Sequence, residues 1–190
     1  MRLSNISKAY GEIKVFDNFS AELSNGAVTQ ITGESGCGKT TLLRIIAGLD
    51  EYSGEISERP EGKISAVFQE DRLFEELSAL ENCYLVQSGK PPFDIADALA
   101  STGLSREDIT RPAKELSGGM KRRTAIVRSL CVNFGLLLLD EPFKGIDREN
   151  KLKTAALIEA HTKGKTVFIV THDTADMPLK TDGVLSLDNM

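Results

Sequence analysis

The chain has 190 residues, of which 41% are hydrophobic and 27% charged, as expected of one globular domain that buries a substantial core. Its net charge of −5 argues against nucleic acid as the main partner. No apolar run approaches the roughly 20 residues that a membrane-spanning helix needs. The cysteines, Cys37, Cys83 and Cys131, form no CxxC pair, which argues against a metal or disulfide framework and favours a reducing cytosol.

Strand patterns dominate the first part of the chain. Residues 1–31 alternate apolar and polar side chains between turn signals, which predicts a mainly β subdomain. A glycine-rich turn follows, and residues 40–49 then have the apolar spacing of a helix. Short strands are predicted at 53–57 and 63–69.

From residue 71 to about residue 130 the apolar spacing becomes helical, and we predict helices at 73–87, 93–104 and 118–132. This segment reads as an insertion into an α/β core.

The last part of the chain alternates strand and helix. Apolar strands are predicted at 135–140 and 166–172, with a helix at 148–163 between them. Continuous apolar strands joined by a helix imply a parallel sheet that is covered on both faces.

The strongest local signal is GESGCGKTT, which matches G-x-x-x-x-G-K-[ST] between a strand and a helix, the context of a nucleotide-binding P-loop. Its glycines let backbone N–H groups approach a polyphosphate, and the helix dipole adds positive potential. We expect Lys39 to neutralise the β- and γ-phosphates and the Thr40 hydroxyl to bind Mg²⁺. The predicted nucleotide-binding residues of this loop are Gly33, Glu34, Ser35, Gly36, Cys37, Gly38, Lys39, Thr40 and Thr41.

Polar side chains end three of the predicted strands, and the carboxyl ends of parallel strands meet at the ligand edge of a sheet. Asp140 is expected to hold Mg²⁺ through water, and Glu141 to accept a proton from the attacking water. Gln69 could bind Mg²⁺ or water, and His172 could reach the γ-phosphate. The alternative for each is an ordinary solvated side chain in a turn.

The segment 114–123, KELSGGMKRR, indicates by itself a glycine-rich turn that caps a helix. Alternatively, Ser117 could cap a helix whose first N–H groups face an anion.

Five motifs in order, GESGCGKTT, VFQ, LSGGM, LLLLDEP and VTHD, resemble those of the nucleotide-binding subunit of ATP-binding cassette (ABC) transporters. The resemblance covers nearly the whole chain. It implies that two such chains bind two ATP molecules head to tail, so that each ATP lies between the P-loop of one chain and the LSGG segment of the other.

The resemblance also implies individual roles. Ser117, Gly118 and Gly119 would contact the γ-phosphate bound by the partner chain. Gln69 would link the site to the helical subdomain and help to bind Mg²⁺, and His172 would be the γ-phosphate switch.

Three further residues match family positions at the edges of the site. Tyr10 falls where the family stacks an aromatic ring on adenine, with Val15 nearby, although Tyr10 could instead pack on its own sheet. Asp147 matches the aspartate of the loop that crosses the dimer interface. Lys39 is implied to be catalytic together with Glu141.

The sequence departs from the family pattern in places. Met120 replaces the usual glutamine of the signature, and the loop 143–147, FKGID, lacks the usual small residue and leucine before its aspartate. We expect activity to be retained. The chain ends soon after residue 183, so regulation through a C-terminal domain is not expected.

The predicted fold class is α/β: a P-loop NTPase core with a mostly parallel sheet, an N-terminal antiparallel β subdomain and an inserted α-helical subdomain. We assign 1–190 to a single ABC ATPase domain, in which 1–31 is the mainly β subdomain and 71–130 the helical subdomain. The P-loop core would comprise 32–70 and 131–190.

The leading functional hypothesis is an ATP-hydrolysing transporter subunit, most consistent with an importer. Residues 68–83 weakly resemble importers of nitrate, sulfonates and taurine. The expected cofactors are ATP and Mg²⁺, and the expected partners are transmembrane permease subunits, a second copy of the chain and, indirectly, a solute-binding protein. The chain would be cytoplasmic and peripheral on the inner face of the cell membrane. The alternatives are a non-transport ABC ATPase of translation or DNA maintenance, and a nucleotide-binding module with weakened catalysis.

Overall fold

A computed structural model of the chain describes residues 1–87, 89–171 and 177–188. The strands within these ranges are β1 (Arg2–Tyr10), β2 (Ile13–Glu22), β3 (Val28–Thr32), β4 (Ser53–Ser57), β5 (Lys63–Val67), β6 (Phe134–Asp140), β7 (Thr166–Val170) and β8 (Gly183–Ser186). The α-helices are α1 (Lys39–Ile46), α2 (Ala79–Tyr84), α3 (Ile95–Ser101), α4 (Arg106–Thr110), α5 (Gly118–Leu130) and α6 (Arg148–His161), and a short 3₁₀ helix spans Ala113–Glu115.

The larger sheet has the strand order β5-β6-β7-β3-β8, and every neighbouring pair in it is parallel. Alternate residues of β6 enter different cores. Leu136 and Leu138 pack with α1 on one face, whereas Leu137 and Leu139 pack with α5 and α6 on the other. A strand that is covered on both faces needs a continuous apolar run. The parallel sheet predicted from those runs is therefore confirmed.

The smaller sheet is antiparallel, in the order β2-β1-β4. It contains β4, which comes from the segment 32–70 assigned to the core, while β3, from the segment 1–31, joins the parallel sheet. The strands of the two sheets therefore do not follow the predicted division of the chain at residues 31 and 32. The reason lies in β3, because Thr29, Gln30 and Ile31 are buried between β7 and β8.

The helical segment contains α2 to α5 around a third apolar cluster. The helices here are shorter than predicted, and one further helix is present. The helix expected from residue 73 begins only at Ala79, because Ser78 and Glu81 form a capping box that fixes the first turn. Ser105 and Asp108 form a second capping box, which starts α4, a helix that lies outside the three predicted for this segment.

None of the helices in the described ranges is long and apolar enough to cross a membrane.

Candidate nucleotide-binding site

The P-loop runs from the end of β3 to the start of α1, as predicted. Gly36 and Gly38 have φ values of 86° and 102°, in the left-handed region that L residues rarely adopt. A Cβ atom on Gly38 would lie 2.7 Å from Cγ1 of Val15. Glycine is therefore needed at this position because β2 packs directly against the loop, and Val15 supports the loop at that contact.

Lys39 begins α1 and is only 5% exposed. Its ammonium donates hydrogen bonds of 2.6 Å to the carbonyl oxygens of both Gly33 and Glu34. The loop thus folds around the charge, and Lys39 is among the residues that line the adjoining cavity. A positive group in this place is suited to a polyphosphate.

The predicted magnesium ligands come together at the ends of two strands. The Thr40 hydroxyl donates a 2.6 Å hydrogen bond to Oδ2 of Asp140, and Nε2 of Gln69 lies 3.4 Å from the Thr40 oxygen. Asp140 is fully buried, and its Oδ1 atom has no hydrogen-bond partner among the described residues.

This donor set fits Mg²⁺. Hydroxyl, carboxylate and amide oxygens are hard ligands, and Mg²⁺ is commonly held by one or two carboxylates together with substrate phosphates. In the described part of the chain, no group of three or more His, Cys, Asp and Glu side chains could hold a metal ion.

These groups surround a cavity of about 180 Å³, which we call the P-loop cavity. It is lined by Ser35, Gly36, Gly38, Lys39, Thr40, Thr41, Gln69, Asp140 and Val170. Glu141, Tyr10, Asp147 and the LSGG segment are not among its described lining residues.

Tyr10 lies beside the P-loop helix without entering the P-loop cavity. Its ring is 46% exposed, and its hydroxyl donates a 2.7 Å hydrogen bond to Asp50. Arg44 of α1 donates two bonds, of 2.9 and 2.8 Å, to the same carboxylate. Hydrogen bonding to Arg44 and Tyr10 lowers the pKa of Asp50 to about 2, and the bond to Asp50 raises the pKa of Tyr10. The aromatic ring is therefore held next to α1 with much of its surface accessible.

Glu141 follows Asp140 but faces a different space. Its φ of 51° is in the left-handed region, and its backbone N–H donates a 2.9 Å bond to Val170 at the end of β7. This turn separates the two carboxylates. Glu141, which is 9% exposed, lines a second cavity of about 510 Å³.

The second cavity lies at the start of α5, and we call it the α5 cavity. Its described lining residues are Gln69, Asp71, Gly118, Gly119, Arg122, Glu141, Lys144 and Gly145. Gln69 alone is shared by the described linings of the two cavities.

Ser117 caps α5, since its side chain accepts a 3.3 Å hydrogen bond from the backbone N–H of Met120. Ser117 and Gly118 are exposed. A Cβ atom on Gly119 would lie 2.9 Å from the carbonyl oxygen of Gly145, so the helix start approaches the next loop closely. Gly118 and Gly119 are therefore the first residues of α5 rather than a turn that caps a helix, and Ser117 is the cap. Contact between this helix start and an anion stays a prediction.

Asp147 caps α6 in the same way, accepting bonds of 3.0 and 2.7 Å from the backbone and side chain of Asn150. The backbone bond lowers the pKa of Asp147. Its predicted role at a dimer interface stays a prediction, and His172 lies outside the described residues.

The sequence analysis missed Arg122, a buried arginine beside Glu141. The available signal was its position four residues before Ile126, on a face of α5 that is otherwise apolar. A charge there needs buried partners, which periodicity alone does not reveal.

The fold and the P-loop cavity define a P-loop nucleotide-binding protein. A family model described as ABC transporter matches residues 16–144, which is more than half of the chain. The chain belongs to this family.

Curated relatives agree with this assignment. An aliphatic sulfonates import ATP-binding protein, SsuB 1 of Paraburkholderia xenovorans (strain LB400), is 35% identical over 99% of the chain, and the chain spans 57% of its length. SsuB 2 of Streptomyces avermitilis is 36% identical over 99% of the chain, which spans 76% of that relative.

Solved structures show the same fold. The ATP-binding cassette MJ0796, in a dimeric post-hydrolysis state bound to ADP and Pi, has a TM-score of 0.83 and 29% identity over 98% of this chain and 94% of that chain. A second dimeric structure of MJ0796, described as a bacterial ABC transporter cassette, has a TM-score of 0.82.

These comparisons confirm the predicted family, the fold class and the enzyme class: the chain is an ABC ATPase that binds ATP. The resemblance to the sulfonate-importer subfamily is also confirmed, since both relatives carry that name.

Proposed function

We propose that the chain hydrolyses Mg²⁺-bound ATP to power solute import through separate permease subunits. The observation that carries the proposal is the separation of the P-loop from the exposed start of α5. The P-loop cavity holds Lys39 and Asp140, whereas Ser117 and Gly118 are exposed at the start of α5. A second copy could bring its α5 start to this chain's P-loop cavity.

Binding begins with the P-loop. Backbone N–H groups of the loop and the Lys39 ammonium hold the β- and γ-phosphates. Thr40, Asp140 and Gln69 would hold Mg²⁺, which neutralises phosphate charge when it is bound. Tyr10 would stack on the adenine, and its exposure beside α1 supports this role.

Hydrolysis then depends on Glu141. Its carboxylate is shielded from bulk water and lies in the α5 cavity with Gln69, where it orients the attacking water and accepts a proton from it. His172 would contact the γ-phosphate, as the family resemblance implies. Positioning and electrostatic stabilisation supply most of the catalysis.

The assembly requires a second copy, arranged head to tail. Ser117, Gly118 and Gly119 of one chain would complete the phosphate site of the other, and Asp147 would lie at the contact. The dimeric MJ0796 cassettes support this arrangement.

Permease subunits are the proposed membrane partners, and they would place the chain on the cytoplasmic face of the membrane. Phe74, Tyr84 and Leu85 are exposed apolar side chains of the helical segment, and they would pack against such subunits. The names of the SsuB relatives support an organosulfonate as the solute, delivered by a solute-binding protein.

The proposal is tested by reconstituting the chain with its permease subunits in liposomes and measuring ATP-dependent uptake of ethanesulfonate. Uptake is expected with the natural chain and not with Lys39→Ala. ATPase activity that responds to ribosomes or DNA, without permease binding, would favour the non-transport alternative. Single-turnover phosphate release at background rates would favour the weakened nucleotide-binding module.

A further inference from the structure

Arg122 connects three segments of the candidate site. It lies on α5, four residues after Gly118, and is 4% exposed. Its Nη1 atom donates hydrogen bonds to the Phe68 carbonyl oxygen and, at 3.0 Å, to Oδ1 of Asp71. Its Nη2 atom donates to the carbonyl oxygen of Asp140 and, at 2.8 Å, to that of Glu141.

The network is not needed to pair the strands involved. β5 and β6 are already joined by their own parallel ladder, from Lys63 with Phe134 to Val67 with Leu139. Arg122 adds contacts at the last residue of β6 and just beyond the ends of the two strands. A buried guanidinium is costly unless its donors are satisfied, and Nε of Arg122 has no partner among the described residues. The free-energy cost of burying this guanidinium therefore arises next to Gln69 and Glu141, where the chain leaves the sheet.

We propose that Arg122 is a positioning residue that holds the Glu141 backbone in its left-handed conformation and ties it to the start of α5. The inference rests on the proposed function, because it assumes that Glu141 orients the attacking water. Contact between the α5 start and the phosphate of a second copy would then be transmitted to Glu141 through a single buried side chain.

Arg128 offers a matched control. It lies on the same helix and donates bonds of 2.7 and 2.8 Å to the carbonyl oxygens of Asp71 and Arg72. Its described hydrogen bonds do not include the end of β6. Arg128→Met thus removes a guanidinium that holds the same loop without touching Glu141.

The first measurement is steady-state ATPase activity. Arg122→Met keeps an apolar stem and is expected to lower kcat by about 10- to 100-fold, since a misplacement of about 1 Å can cost that much. KM for ATP should change by less than about threefold, because Arg122 is not among the described lining residues of the P-loop cavity and contacts Asp140 only through its backbone carbonyl oxygen. Arg128→Met should keep kcat within about twofold. Equal kcat losses in the two variants, or a loss that appears only in KM, would overturn the inference.

A double-mutant cycle distinguishes an effect of Arg122 that acts through Glu141 from a general loss of structure. If Arg122 acts through Glu141, Arg122→Met should lower turnover by less than about threefold in a Glu141→Gln background, since coupled residues are not additive. The same fold loss in both backgrounds would contradict the proposal.

Amide hydrogen exchange provides a readout without nucleotide. Exchange at the amides of Asp140 and Glu141 should be faster in Arg122→Met than in the natural chain, and unchanged in Arg128→Met. Arg122→Lys serves if the methionine variant does not fold, because one ammonium cannot reach both strand ends in the geometry of a guanidinium. Unchanged exchange would overturn the inference. If the natural chain does not hydrolyse ATP, the proposed function fails, while the exchange comparison still decides the role of Arg122.

Discussion

The P-loop cavity and the α5 cavity differ in how they are built. The first lies where β3 and β6 end, and its charged groups, Lys39 and Asp140, are buried. The second opens at the start of a helix, where Ser117 and Gly118 are exposed. A buried charge needs its partners within the same chain, whereas exposed backbone N–H groups can receive a ligand from outside.

This difference supports the proposal that each chain carries the P-loop half of one phosphate site and the α5 half of another. Glu141 lies on the side of the α5 cavity, and Asp140 on the side of the P-loop cavity. The two adjacent carboxylates would therefore face different parts of the proposed dimeric site. Variants that affect only one side can test this division.

The largest expected effect comes from the carboxylate of the α5 cavity. Glu141→Gln should lower turnover by about 10²- to 10⁴-fold if Glu141 is the general base, while ATP affinity is kept and ATP-bound dimers accumulate. Phosphate release and size-exclusion chromatography with ATP measure these effects. Glu149→Gln, at an exposed acid of α6, is the control and should behave as the natural chain. Full turnover in Glu141→Gln would show that Glu141 is not the general base.

On the P-loop side, Lys39→Ala should abolish tight binding. Removing a buried charged partner costs about 2–5 kcal/mol, which corresponds to an affinity for ATP roughly 30- to 4,000-fold weaker. A titration with fluorescent nucleotide measures the dissociation constant. Lys153→Ala, whose lysine pairs with Glu149 on the surface, should leave the affinity unchanged. Unaltered binding in Lys39→Ala would contradict the P-loop assignment.

Substitutions at Ser117 should distinguish the role of the α5 start in the dimer from the role of the P-loop cavity in binding nucleotide. Asp and Asn both cap helices well, so Ser117→Asp adds a negative charge and Ser117→Asn does not. The charge would oppose the γ-phosphate of a second copy, and like charges in an interface cost several kcal/mol. The ATP-bound dimer should therefore weaken by roughly 100-fold with Asp and little with Asn.

Both Ser117 variants are best compared in the Glu141→Gln background, by analytical ultracentrifugation with ATP. Nucleotide affinity of the monomer should stay within about twofold in each, because the described lining of the P-loop cavity does not include Ser117. An equal loss of monomer affinity in Ser117→Asp would show that the α5 start acts on its own chain's nucleotide.

The same contrast explains what the sequence could predict. The P-loop and the buried strands depend on local patterns, so GESGCGKTT and the apolar run of β6 predict both. The link between Arg122 and Glu141 joins residues that are distant in sequence, and no local pattern encodes it. Likewise β4 joins β1 rather than the parallel sheet, because strand pairing is decided by tertiary contacts.

The smallest expected effect concerns Met120, the departure from the family signature. Met120 is half-buried and packs on the apolar cluster of the helical segment, while Ser117 bonds only to its backbone N–H. Met120→Gln should therefore lower the free energy of unfolding by about 1 kcal/mol, because an amide replaces a packed thioether.

The effect of Met120→Gln on kcat should stay below about threefold, because the helix cap is a backbone contact. Urea unfolding and phosphate release measure the two quantities, and Met120→Leu, which keeps the apolar contact, should change neither appreciably. A large gain of ATPase activity in Met120→Gln would show instead that the methionine weakens the α5 side of the site. The side chain at position 120 would then contribute to catalysis, and the α5 start could not be described by Ser117 and its backbone N–H groups alone.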